Sequence, residues 1–116
     1  MGKSVELISA FSLVHHQFRY LHSYHYVRNF REDGGIEQNF KITLCDYPYY
    51  EDDPKLEVTF FSVSDLKIGD IGSLFCLYIE ISDISNYQLE AINYRVKEEE
   101  EETFAFDCKS FEIKVI

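Results

Sequence analysis

All four histidines of the chain, His15, His16, His22 and His25, fall within one short N-terminal window. Neutral imidazoles ligate zinc and related transition metals, and two on one face make a chelate. A helix continuing to His25 would put His22 and His25 one turn apart on a shared face. A strand beginning near Tyr24 would turn them to opposite faces and dissolve the pair. His22 and His25 are therefore the candidate metal ligands, although no spacing marks the two further ligands that a closed site needs. The plainer account is a set of imidazoles at a helix–strand junction, hydrogen-bonded or exposed.

Other chemistry finds less support. A nucleophile needs Ser or Cys beside His and an orienting acid, but the serines and cysteines are scattered and no GxSxG elbow occurs. Gly34-Gly35, Gly69 and Gly72 make neither a phosphate loop nor a dinucleotide fingerprint. Glu51-Asp52-Asp53 could hold a hard cation such as calcium, yet the alternating oxygen ligands of an EF-hand loop are missing, so a solvated loop is the simpler reading. No catalytic residue and no cofactor is assigned. A metal-dependent hydrolase using the histidine cluster stands as an alternative class, as does a structural subunit that self-pairs through a strand edge.

Binding chemistry is better represented. Glu98, Glu99, Glu100, Glu101 and Glu102 form an unbroken run between two alternating segments. Five like charges repel one another and seek water, so the run reads as the solvated, negative tip of a hairpin. A second acidic element, Glu51, Asp52 and Asp53, follows Tyr47, Tyr49 and Tyr50. Tyrosine is favoured at protein interfaces, and acids on a rim steer a basic partner. These eleven residues are the candidate partner-binding set, and whether the two elements share a face is left open. The competing reading packs the tyrosines over a sheet edge.

The balance of charge points the same way. Eleven Lys and Arg against 21 Asp and Glu give a formal net charge of −10. That field repels nucleic-acid phosphates and anionic membranes, and speeds encounter with a basic protein. Ten Phe and nine Tyr make the chain too apolar for disorder. At 116 residues it is expected to be a single domain, 1–116, with one core. The cysteines, Cys45, Cys76 and Cys108, are odd in number, lack CxxC spacing and sit in apolar segments, which suits reduced thiols and a cytoplasmic setting. There is no long uncharged apolar stretch to suggest a signal peptide or membrane span.

The elements that must position these residues follow from periodicity. Leu7, Phe11, Val14, Phe18 and Leu21 recur at helical spacing, predicting a helix from Ser4 to about Leu21. Alternation from Tyr24 predicts a hairpin, Tyr24 to Cys45, turning at Asp33-Gly34-Gly35. Asp46 to Pro54 is a loop, and Leu56, Val58 and Phe60 begin another strand. Ser64 to Gly72 is a turn-rich connection or a short strand around Ile68. Leu74 to Ile81, apolar on both faces, predicts a central strand or one covered by the N-terminal helix, and Ser82 to Gln88 a turn. Strands then flank the glutamate run, and Phe111, Ile113 and Val115 line a last one. About seven strands result. The fold expected is a β-rich α+β domain: an antiparallel sheet, curled or doubled into a sandwich, with one N-terminal helix. Its core is expected to include Phe11, Val14, Phe18, Ile42, Leu44, Val58, Phe60, Leu77, Ile79, Phe104, Phe106 and Ile113.

Four segments carry a family resemblance: Leu21-His22-Ser23; Val58-Thr59-Phe60-Phe61-Ser62-Val63; Ile79-Glu80-Ile81-Ser82-Asp83-Ile84-Ser85 with Gln88-Leu89-Glu90; and Phe104-Ala105-Phe106-Asp107-Cys108. Through these, Leu21 to Ile116 is similar to small uncharacterised bacterial proteins, including the YxiG-like group and some immunity-protein families. Many of them carry His-Asp where this chain has His22-Ser23. The resemblance implies a non-enzymatic binding role and no catalytic residues; the leading reading is an acidic protein-binding module, most concretely an immunity-like inhibitor that covers a basic toxin or nuclease with its negative face.

Overall fold

Strict alternation in two neighbouring segments founds the structure. Phe40, Ile42 and Leu44 of β2 (Ile36–Cys45) face the same side as Leu56, Val58 and Phe60 of β3 (Leu56–Phe61), and all six are fully buried. The antiparallel register sets Phe40 beside Phe60, Ile42 beside Val58 and Leu44 beside Leu56. Period-2 side chains thus become one apolar face. The computed structural model describes residues 2–70, 76–87, 92–100 and 102–116.

Among the described residues there are one helix and eight strands. Helix α1 (Gly2–His15) leads into β1 (Tyr20–Phe30), then β2, β3, β4 (Ser64–Ile68), β5 (Ile79–Asp83), β6 (Tyr94–Glu98), β7 (Phe104–Cys108) and β8 (Ser110–Val115). They form two antiparallel four-stranded sheets, ordered β1-β2-β3-β8 and β4-β7-β6-β5. Rings meet across the gap: Phe106 of β7 lies 5.7 Å from Phe40 and 5.0 Å from Phe60. Tyr94 of β6 meets Phe111 of β8 at 5.0 Å. The chain passes between sheets at two corners, Ser62-Val63 and Lys109. At the first, Ser62 adopts a φ of 55° and its N–H donates to Asn39 Oδ1. This is a β-rich α+β fold in which the sheet is doubled.

Several boundaries differ from those the sequence suggests. The helix ends at His15, not near Leu21, because the backbone tightens through bonds from Gln17 N–H to Val14 O and from Phe18 N–H to His15 O. Arg19 is then already engaged in the sheet, so β1 begins at Tyr20, four residues early. Ser64–Ile68 is a true strand, bulged between Ser64 and Lys67, and supplies the eighth. The strand expected over Leu74 to Ile81 runs from Ile79 to Asp83; positions 71–75 lie outside the described residues. Asp83 therefore belongs to a strand instead of a turn, and a 3-10 turn follows at Ser85–Tyr87. The β1–β2 turn is as expected: Gly34 takes a φ of 89°, and Gly35 N–H donates to Asp33 Oδ1 at 2.8 Å. No helix among the described residues is long and apolar enough to cross a membrane.

All the expected core residues belong to one hydrophobic cluster or pack against it, Val14 and Ile113 from its half-buried margin. Phe106 sits at its centre, in ring contact with Phe40, Phe60 and Phe104. Phe106→Ala should lower unfolding free energy by about 3–5 kcal/mol in urea denaturation.

His15 joins the helix to the second sheet. It follows Phe11 by one helical turn and stacks on it at 5.1 Å. Its Nδ1–H donates to Phe18 O at 3.0 Å, while Nε2 accepts Ile79 N–H at 2.9 Å. That acceptor role requires the neutral ring. Burial lowers its pKa to about 4, assisted by Arg19 and His16 and opposed by the Phe18 bond and Glu98. Because the folded value lies below the unfolded value of 6.5, the unfolded chain takes up the proton first. Stability from this group is complete above pH 6.5 and falls as pH drops towards 4, by roughly 3 kcal/mol. Denaturation curves across that window should show the loss in the native chain, and His15→Gln, which keeps a donor and an acceptor but does not titrate, should lack this component.

Candidate functional site

The short link between α1 and β1 touches the glutamate run with one residue and the tyrosine loop with the next. Arg19 lies just before β1, and its Nε donates to Leu77 O at 2.7 Å, while Leu77 N–H donates back to Arg19 O at 2.6 Å. Its guanidinium rests over the Tyr78 ring, 5.1 Å from the centroid, and its Nη2 lies 3.4 Å from Glu100 Oε1. Cation–π stacking and an ion pair thus hold one arginine against the glutamate run. The next residue, Tyr20, contacts the Tyr47 ring at 5.4 Å.

Within the run, Glu98 departs from expectation. The tip was expected to be wholly solvated, yet Glu98 is the last residue of β6 and only 1% exposed. Its parity is that of Tyr94 and Val96, both buried, so its side chain turns inward. There it is not left as a bare buried charge, which would be costly. Oε2 accepts the N–H groups of Tyr78 at 3.1 Å and Glu100 at 2.7 Å, and Oε1 accepts that of Thr103 at 3.4 Å. Glu99, Glu100 and Glu102 are exposed, Glu102 with a φ of 52°; Glu101 lies outside the described residues.

The tyrosine loop is ordered by its own acids. Asp46 Oδ1 accepts Tyr47 N–H, Asp53 Oδ2 accepts Tyr50 N–H, and Asp53 N–H donates to Tyr50 O. Asp52 sits at a φ of 75°. Tyr47 and Tyr50 are 59% and 65% exposed, although the Tyr47 ring meets Tyr20 of the edge strand β1. Tyr49 is half-buried: Lys55 Nζ donates to its hydroxyl at 3.1 Å and lies 5.5 Å from its ring. Glu51 and Asp52 face solvent, and Asp53 is half-buried.

Residues 3–114, nearly the whole chain, match the family model described as Immunity protein PIM8. The chain belongs to this immunity protein family. No curated protein and no solved structure matches it. The match bears out the immunity-protein part of the resemblance and does not speak to the YxiG-like group.

In this PIM8 family member the histidines are placed apart in role. His22 stands at the β1 bulge, its Nδ1 3.0 Å from Ser23 Oγ and its ring edge-on to Tyr49 at 4.9 Å. His25 lies opposite Lys41 in the β1–β2 register. Among the described residues, no group of three or more His, Cys, Asp or Glu side chains converges as a metal site would require. A hollow bordered by Ser12, His15, His16, Arg19, Tyr78 and Ile79 has about 30 Å³, room for water and not for a substrate. Periodicity could have found His15, four residues after Phe11, and Glu98, two after Val96. Nothing in the local sequence marks Arg19.

The three cysteines are free thiols, Cys45 and Cys108 buried and Cys76 half-buried. Burial, with Asp107 beside it, pushes the Cys108 thiol up to about 12, and burial also raises Cys45. Neither is suited to act as a thiolate nucleophile near neutral pH. Native-state maleimide labelling followed by peptide mass analysis should modify Cys76 first, with Cys45 and Cys108 reacting only at the rate of unfolding.

Proposed function

We propose that the chain is an immunity-type inhibitor that binds a basic protein toxin, a nuclease being the most concrete case, through the acidic, tyrosine-bearing surface around the α1–β1 junction. One observation carries this reading: Arg19 touches Glu100 while its neighbour Tyr20 touches Tyr47, so the glutamate run and the tyrosine loop each reach the chain where α1 gives way to β1. Family membership supports a toxin as the partner. The net charge of −10 supports a basic one, because it accelerates encounter with positive surfaces. Exposed Tyr47 and Tyr50 supply rigid, amphipathic contact area. Arg19 over Tyr78 and Lys55 over Tyr49 are internal examples of the cation-on-tyrosine contact that a partner's Lys or Arg would make. Three free thiols suit a reducing cytoplasm.

Protein purified gently from its own cells at low salt should carry an added protein mass in native mass spectrometry. With that partner in hand, association should slow as salt rises, and joint replacement of Glu99, Glu100 and Glu102 by Gln should slow it by about tenfold. A bare mass at low salt, or an association rate indifferent to salt, would rule the proposal out.

A further inference from the structure

The glutamates of the run divide into two kinds. Glu98 faces inward at the end of β6, and its carboxylate gathers the amides of Tyr78, Glu100 and Thr103 at 2.7–3.4 Å. These amides lie at the approach to β5 and on both limbs of the β6–β7 connection. A carboxylate is acceptor-only with two oxygens, so it can serve several converging N–H donors that a neutral amide side chain would partly oppose. Between those anchors the backbone takes the left-handed conformation of Glu102. Glu99, Glu100 and Glu102 are thereby left on the solvent side.

We propose that Glu98 is the positioning residue of the partner-binding surface, acting through the geometry of its carboxylate and not through its charge. It fixes the backbone that carries Glu99, Glu100 and Glu102, so that a partner's cations meet ordered acids. Five adjacent carboxylates on a free loop would spread apart, and binding would have to order them at an entropic cost. The inference rests on the acidic-surface reading above and deepens it.

The test uses the full chain and a deca-arginine peptide as the basic probe. Glu98→Asp keeps the net charge but withdraws the carboxylate by one methylene. An account based on charge alone therefore expects native affinity, whereas positioning expects a loss of about fivefold with an unchanged salt dependence. Hydrogen exchange adds a readout that does not depend on any variant folding: the Glu100 and Thr103 amides should be protected in the native chain, and should lose protection in Glu98→Asp. Native affinity in Glu98→Asp overturns the inference, and so do unprotected Glu100 and Thr103 amides in the native chain. If joint Glu99→Gln, Glu100→Gln and Glu102→Gln leaves peptide binding intact, the acidic-surface reading itself fails, whatever Glu98 does.

Discussion

Three consecutive residues, Leu77, Tyr78 and Ile79, are held through their backbone by three side chains from three other places. Arg19 donates to Leu77 O, Glu98 accepts Tyr78 N–H, and His15 accepts Ile79 N–H. β5 is a terminal strand of its sheet, and the backbone groups of an edge must be paired or covered. Here the covering groups are the end of α1, the start of β1 and the end of β6. The same bonds that satisfy the edge therefore fix the helix on the sandwich and set the position of the acidic connection. His15 must be neutral and Glu98 an acceptor for this arrangement to exist, so two titratable side chains act as structural members.

That constraint also settles how a strongly acidic chain tolerates its densest run of charge. Strand parity carries the first glutamate out of the repelling group and sets its charge against backbone N–H dipoles. The exposed members remain in water, where like charges are screened. Two cations beside the acidic elements sit on tyrosine faces, Arg19 on Tyr78 and Lys55 on Tyr49.

Much of this was legible in the sequence, and its limits have physical causes. Alternation sufficed for β2, β3, β7 and β8, where apolar side chains at alternate positions turn into the core. Asp33-Gly34-Gly35 sufficed for the first turn because its chemistry is local. The end of α1 was not legible, since Phe18 and Leu21 continue the helical spacing although the chain has already turned into the sheet. Glu98 was masked by its neighbours: composition grouped it with four like residues, while the alternation Tyr94, Val96, Glu98 already pointed it inward. His15 was legible as a fourth member of the helical stripe but was grouped with the other histidines instead. Arg19 depends on residues 58 and 81 positions away, and no local pattern encodes such a contact.

For the PIM8 family member, function by surface contact places unequal demands on charge and shape. Long-range attraction from a net charge of −10 draws any basic protein and cannot choose among them. Choice must come from groups whose positions are fixed before contact, because only those reward one arrangement of partner cations over another. On the proposed surface the fixed groups are those of the tyrosine loop and the acidic connection. They are fixed by bonds to backbone: Asp46 and Asp53 within the tyrosine loop, Glu98 within the acidic connection. On the proposed surface, specificity would reside as much in the buried carboxylate of Glu98 as in the exposed ones it holds in place.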